Sequence, residues 1–401
     1  MTLTEDIVDS EGIEEKLISI ARELRPLLVE RSAQTERERR VPGETITTLE
    51  DAGFFEYLVP RKWGGQGGTL TGQINIAAEL ARGCPSTAWV FTLINWVNGF
   101  ASAYLPEEGT AAIYGSTEGR LMACGANGFT GVARPNGDGY LVSGTWGYCS
   151  GSLHANWVMG GVLVKNDANE VINQGWAFMP KSSLTLKDTW FVSGLRGTGS
   201  NTLIADQVFV PNHSIMMMGD RLSAEANPQP DADPVYRIPF AAMFGLALMG
   251  TCLGAADAAA EIVSQNATKR GVTYFEFDKQ TDSGALMEHL GQAKMKIETA
   301  WLHTLRGAEL LDNGTITAPL DYRTRARCRA DAVHAGENLR SAMDTLLNIA
   351  SSSAFAESSP LQRYWRDLNV GSRHAFLNTG PVYEAFSRAD LGIEPNVTVY
   401  I

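Results

Sequence analysis

Histidine and cysteine are scarce in this chain, six and five of 401 residues. The cysteines (Cys84, Cys124, Cys149, Cys252 and Cys328) are scattered, odd in number and never spaced C-x-x-C. That argues against a disulfide framework and a structural zinc site, and fits a reducing cytoplasm. No paired His/Glu spacing points to a metal. No G-x-G-x-x-G follows a strand pattern, and the Gly-Thr-Gly-Ser-Asn of 197–201 is too short and in the wrong context. The chain therefore lacks the usual means of binding NADH for itself. Positive charge is in deficit, 33 Lys and Arg against 45 Asp and Glu, a net −12. That balance argues against a nucleic-acid or anionic-membrane surface. The one basic cluster, TERERR at 35–40, alternates with glutamates and reads as a solvated helix face. The N-terminal MTLTEDIVDSEG is acidic, so no signal peptide is expected.

One long uncharged run stands out, IPFAAMFGLALMGTCLGAA at 238–256. Its 19 residues are about enough to cross a bilayer. Yet it is built of Gly, Ala and Met and runs on into Asp257 and Glu261 in a helical pattern. A buried bundle helix is expected, with small residues that let neighbouring helices approach.

The hydrophobic period changes twice along the chain. Residues 1–118 form an N-terminal α-helical domain: Ile13, Leu17, Ile20, Leu24 and Leu28 recur at threes and fours. A second helix carries TITTLEDAGFFEYLV and ends at Pro60. A third spans 71–83 after a Thr able to cap it, and a largely apolar fourth follows from Pro85. Residues 119–222 form a central β domain. Turn chemistry at Asn136-Gly-Asp-Gly139 predicts a hairpin, and short strands are expected at 157–164, 174–180, 184–192 and 201–211. A Pro/Ala/Asp linker at 223–234 leads into a C-terminal bundle, 223–401. There Leu286, Leu290, Ala293, Ile297, Trp301, Leu305 and Ala308 make one apolar stripe. Further helices are expected at 321–350 and through 362–379. The fold class is α+β: an α-helical domain, a β-barrel or sandwich, and a four-helix bundle.

Four stretches in this order carry a resemblance. VPRKWGGQGG (59–68) resembles the Pro-x-x-x-Gly-Gly loop of the acyl-CoA dehydrogenase superfamily. GTWGYCSG (144–151) lies where that superfamily packs a β-domain turn against a flavin, and LRGTGSNTLIADQVFVP (195–211) resembles its Arg-Gly-Ser/Thr turn and following strand. PLQRYWRD (360–367) resembles its C-terminal Arg-Asp motif. The likeness spans nearly the whole chain. It departs at one place: many acyl-CoA dehydrogenases keep a glutamate base two residues before that proline, and here the position is Ser358, with Glu357 beside it. A hydroxyl is no strong base without a partner. His374 follows Asp367 by seven residues instead, a pattern that resembles the flavin-dependent two-component monooxygenases of the same fold.

That resemblance implies reduced flavin (FMNH2 or FADH2) and dioxygen, reacting through a flavin C4a-peroxide to oxygenate a small aromatic. It also implies a separate NAD(P)H-flavin reductase, a homotetramer and no membrane or nucleic-acid partner. It implies that His374 lies beside the flavin ring and that Ser150, next to Cys149, contacts flavin nitrogen 5. His374 could hydrogen-bond oxygen or take a proton from substrate. A helix through 378 would put Asp367, Gly371, His374 and Asn378 on one face, with Gly371 leaving a gap beside the imidazole and Asn378 orienting it. Arg270 resembles the arginine that reaches a flavin phosphate, often across a subunit interface. Arg196 braces its turn or contacts flavin; Ser150 is a flavin contact or a plain turn residue. Asn127 and Trp190 line the pocket, or Trp190 is core. Phenol hydroxylases of this group commonly carry a histidine on the helix matching 86–105, and this chain has none there. Trp96 and Phe100 suit a flat, weakly polar ring such as an indole or a polycyclic aromatic. The alternatives are an acyl-CoA dehydrogenase with bound FAD and a non-redox member of the fold.

Overall fold

The computed structural model describes residues 3–117, 120–220, 232–314, 318–398 and 401. The boundaries expected at 118/119 and 222/223, and most of the linker (223–231), lie outside the described residues.

Five helices come first: α1 (Leu3–Glu38), α2 (Gly43–Asp51), α3 (Leu70–Gly83), α4 (Pro85–Tyr104) and α5 (Glu107–Ser116). Two N-termini follow from local chemistry. Thr69 caps α3, its hydroxyl accepting from the Gly72 amide at 3.0 Å. Pro85 opens α4, where a missing amide proton costs nothing. The second helix is shorter than expected. It stops at Asp51 because Gly53 turns left-handed at φ +83°, and the rest of the apolar run forms a short 3-10 turn at Phe54–Glu56.

Strands β1 (Ala123–Asn136), β2 (Gly139–Cys149), β3 (Trp157–Lys165), β4 (Val171–Pro180), β5 (Thr185–Lys187), β6 (Asn201–Pro211) and β7 (Ile215–Met217) follow. They make one seven-stranded sheet in the order β5-β6-β2-β1-β3-β4-β7. The β1–β2 hairpin closes at Asn136 opposite Gly139, with Gly137 at φ +60°, as the turn residues predict. The strand expected over 184–192 shrinks to β5, because the chain leaves the sheet near Asp188 to dock on the helices.

The C-terminal helices are α6 (Phe240–Ala267), α7 (Gly284–Gly314), α8 (Tyr322–Ala350), α9 (Pro360–Gly371) and α10 (Thr379–Asp390). Among the described residues α6 is the one helix long and apolar enough to cross a membrane, and 94% of its most apolar window is buried inside the protein. Its glycines explain the composition. A Cβ at Gly250 would sit 2.7 Å from the Ile74 carbonyl oxygen, and one at Gly254 2.0 Å from that of Ala78. The α3 and α6 backbones are in contact there, which only glycine allows.

Among the polar ties that join the N-terminal layer to later chain, two hold the 61–71 segment. Asp233, at the end of the expected linker, accepts from the Arg61 amide and guanidinium, both at 2.8 Å. Asp312 of α7 is buried and accepts from the Leu70 and Thr71 amides, each at 2.9 Å, and from the Thr71 hydroxyl at 2.6 Å. These charge-assisted bonds satisfy amides that the first turn of α3 leaves without partners. Asp312→Ala is expected to cost about 2–4 kcal/mol of stability in chemical denaturation. A loss below about 0.5 kcal/mol would mean that this tie is dispensable.

Candidate active site

Helix α4 is the spine of the site. Trp89, Trp96 and Phe100 are seven and four residues apart, so they share one helical face. The Trp89 indole N–H donates to the Ser150 hydroxyl at 3.2 Å. Its ring centre lies 6.1 Å from that of His374. The imidazole also faces Phe244 of α6 at 5.5 Å and lies nearly parallel to Phe376, at 14° and 6.0 Å. Trp96 continues this aromatic wall, 4.9 Å from Phe244 and 5.1 Å from Phe100. His374 is half-buried among apolar rings with no charged partner, so burial alone pushes its pKa down to about 4. It is neutral at physiological pH.

His374 does not lie on the helix expected for it. Helix α9 ends at Gly371, and His374 (ψ 149°) caps a single 3-10 turn, Ala375–Leu377. Gly371-Ser372 is a weak helical pair. Arg340 takes the Ser372 carbonyl at 3.0 Å, meeting a need that a continuing helix would have met itself. The consequence is chemical. His374 Nδ1 accepts from the Phe376 amide at 3.3 Å, so the neutral ring carries its proton on Nε2. Asn378 is exposed at the start of α10 and does not orient the ring. Gly371 leaves no gap: a Cβ there would be 3.1 Å from the Trp89 ring and 3.3 Å from Cys252 Sγ. Ser358 and Glu357 are exposed at the other end of α9. The 12 residues of that helix separate them from His374 by about 18 Å.

Opposite the imidazole, the turn at 149–152 is stitched to 195–200. The Gly151 amide donates to the Thr198 carbonyl and the Ser152 hydroxyl to that of Gly199, both at 2.8 Å. Ser150 Oγ lies 2.7 Å from Ser200 Oγ, which lies 2.6 Å from Thr198 Oγ1. The Thr198 hydroxyl and the Trp190 indole N–H both donate to the Leu195 carbonyl at 2.9 Å. The Leu195 amide in turn donates to Asp367 Oδ1 of α9 at 2.6 Å. Approach here is close enough that a Cβ on Gly194 would meet the Arg366 carbonyl oxygen at 2.2 Å. Asp367 is buried. That burial pushes its pKa up to about 7, against the Leu195 amide and the Arg366 and Arg363 guanidinium groups, which pull it down.

The remaining expected residues divide. Asn127 sits in an irregularity of β1 between Ala126 and Gly131, and its Oδ1 is buried with no hydrogen-bond partner. Arg196, next to Leu195, has a buried Nε in the same condition. Cys149 is a correction. Strand alternation turns its thiol into the sheet's own core beside Leu203 and Cys124, where burial holds it protonated, so only its backbone is available to the site. Trp190 braces the Leu195 turn and meets Tyr148 edge-on at 5.7 Å, away from the Trp96–Phe100 wall. Arg270 is exposed just past α6, donating to Ser353 Oγ at 3.1 Å. Asn95 and Asn98 are structural: Asn95 accepts from the Leu58 amide at 3.0 Å, and Asn98 bridges the Phe55 and Leu121 carbonyls to the Ala123 amide. Sequence reasoning missed Trp89, Thr198 and Ser200. Trp89 was indistinguishable from core on an apolar helix, though its seven-residue spacing from Trp96 was a usable signal.

Two family descriptions match the chain: "Acyl-CoA dehydrogenase, N-terminal domain" over 18–113 and "Acyl-CoA dehydrogenase, C-terminal domain" over 246–379. The flavin-dependent monooxygenase oxygenase subunit HsaA of Mycobacterium tuberculosis is 30% identical over 384 residues, covering 94% of this chain and 95% of that one. The FADH(2)-dependent resorcinol hydroxylase oxygenase component of a Rhizobium species is 28% identical, with 90% of each chain covered. Among solved structures, XiaF of a Streptomyces species, in complex with FADH2 and glycerol, superposes with a TM-score of 0.92 at 29% identity over 98% of both chains.

Asp367 supplies a test of the junction. Its pKa is raised on folding, so between pH 4 and 7 the native state holds a proton that the unfolded chain has lost. Its contribution to stability is present at low pH and is lost as pH rises to about 7. Asp367→Asn removes that dependence. Relative to the wild type, it is expected to gain on the order of 2–4 kcal/mol between pH 4.5 and 8 in urea unfolding. Parallel pH profiles for the two proteins would refute the assignment.

Proposed function

The chain belongs to the acyl-CoA dehydrogenase family, among its flavin-dependent monooxygenase oxygenase subunits, and on that premise we propose how its own residues serve the reaction. It is an enzyme that uses reduced flavin and dioxygen to oxygenate an aromatic small molecule, and it works with a separate reductase. The bound flavin supplies dioxygen activation. The residues present fit such a ring: Ser150 offers a hydroxyl in the turn, and Asn127 Oδ1 and Arg196 Nε are buried polar atoms without partners. We assign Ser150, Asn127 and Arg196 to holding it.

His374 carries the mechanistic reading. It stands among the Trp89, Phe244 and Phe376 rings, with Trp89 linking it to the Ser150 turn, and its pKa of about 4 keeps it uncharged. With Nδ1 engaged by Phe376, Nε2–H is left as its donor. It therefore offers a hydrogen bond to oxygen being transferred, rather than acting as a base toward substrate at Nε2. Trp89, Phe244 and Phe376 exclude water around it. At the position where a dehydrogenase keeps its carboxylate base, Ser358 and its neighbour Glu357 are on the outside.

The substrate we propose is flat and weakly polar, indole-like or polycyclic. Support comes from the crevice lined by Leu58, Trp96, Phe100, Ile238, Phe240 and Met243, and from the full engagement of Asn95 and Asn98 in structure. The crevice holds about 10 Å³ of free space, room for one water, so its walls must part to admit a ring. A homotetramer in the cytoplasm completes the proposal. All five cysteines are free and buried, and Arg270 lies on a segment where Tyr274 is 99% and Phe275 68% exposed, positioned for a neighbouring copy.

In air, with reduced FMN or FAD and indole, the wild type is expected to form product in proportion to oxygen consumed. His374→Ala should lower product at least tenfold and release the oxygen as hydrogen peroxide, with an unchanged circular dichroism spectrum. His374→Asn, which keeps a donor, should recover part of the coupling. Coupling should stay level from pH 8 down to about 5.5, because the imidazole takes its proton only near pH 4. Full coupling in the Ala variant, or a loss centred at pH 6.5, would defeat the role given to His374.

A further inference from the structure

The three hydroxyls behind the Ser150 turn have a fixed direction, which follows from counting protons. A serine or threonine hydroxyl has one proton to donate and two lone pairs to accept with. The Leu195 carbonyl, which also takes the Trp190 indole N–H at 2.9 Å and the Thr198 amide at 3.2 Å, can only accept, so the 2.9 Å contact from Thr198 Oγ1 commits the Thr198 proton to it. Toward Ser200, 2.6 Å away, Thr198 must then accept, which commits the Ser200 proton. Toward Ser150, 2.7 Å away, Ser200 must accept in turn, which commits the Ser150 proton. On the other side the Trp89 indole N–H, a donor only, fills one lone pair of Ser150. What remains on Ser150 Oγ is a single lone pair. Running the chain backwards would leave the Thr198 and Leu195 oxygens 2.9 Å apart with no proton between them, an unfavourable contact in a buried site.

We propose that Thr198 and Ser200 are positioning residues that lock the Ser150 hydroxyl as a hydrogen-bond acceptor toward the ligand, so that the turn selects a flavin bearing a proton at the ring edge over one that lacks it. This rests on the reading that Ser150 contacts flavin nitrogen 5. That nitrogen carries a hydrogen in reduced flavin and only a lone pair in oxidised flavin. An acceptor-only Ser150 bonds the first and opposes the second. The redox state of a diffusing cofactor is thereby read by hydroxyl polarity, with the Leu195 carbonyl as the terminus that sets it. Trp89 reinforces the selection by occupying the lone pair that would otherwise let the hydroxyl rotate.

Binding, not turnover, tests this. Dissociation constants for oxidised and dithionite-reduced FMN and FAD are measured by anaerobic ultrafiltration of the whole protein. Thr198→Val removes the terminus, frees Ser200 to donate to Ser150, and lets Ser150 donate outward. The ratio of oxidised to reduced dissociation constants is expected to fall about three- to tenfold, chiefly through tighter binding of the oxidised form. Ser200→Ala should lower the ratio likewise, and Thr198→Ser, which keeps the hydroxyl, should restore it. A merely structural role would weaken both forms together and leave the ratio unmoved. Ser150→Ala separates the two readings. If it leaves both affinities unchanged, Ser150 does not touch the flavin and the underlying reading fails. If it weakens reduced flavin while Thr198→Val leaves the ratio at the wild-type value, the directional proposal alone is overturned.

Discussion

Leu195 ties the site together through both of its backbone polar groups. Its amide is held by a buried carboxyl on α9, and its carbonyl is the acceptor for Trp190 and for the hydroxyl chain that reaches Ser150. The residue sits at φ +52°, a left-handed conformation that costs a non-glycine residue about 1–2 kcal/mol. The surrounding bonds outweigh that cost only while sheet and bundle are docked. Gly194 allows the docking, because no side chain would fit between the turn and α9. The same small segment thus joins the strand module to the helices and orients the polar side of the chamber.

The other side of the chamber is apolar by construction. Helix α4 is buried on nearly all faces, so its aromatic residues meet α6 and the sheet at once. Such an interior penalises charge, and the penalty has opposite results on two residues. It pushes the His374 pKa down to about 4, keeping the ring neutral, and raises that of Asp367 to about 7. A neutral imidazole whose Nδ1 is already engaged by Phe376 has only its Nε2 proton left to offer. The carboxylate that serves dehydrogenases of this fold would be costly in such surroundings unless paired.

The helical layers, the β1–β2 hairpin and the buried character of α6 were legible in the sequence because they depend on period and turn chemistry within a few residues. So was the departure at Ser358, and with it the turn toward His374. The helix through 378 was not, since its end depends on Arg340 reaching the Ser372 carbonyl from α8. Cys149 and Ser150 looked equivalent as neighbours in one motif. Only the strand's alternation, seen against its partners, separates a core thiol from a site hydroxyl.

By itself the sequence determined the order of helical and stranded segments, the lack of a G-x-G-x-x-G motif, and Ser358 where relatives keep a glutamate, all of which are local or compositional properties. Tertiary structure alone decided which nitrogen of His374 carries the proton, which way the Ser150 hydroxyl points, and that Trp89 joins the two. The first depends on a turn that breaks the expected helix, the others on contacts 50 and 61 positions apart, and hydrogen-bond direction is a property of the closed network rather than of any residue in it.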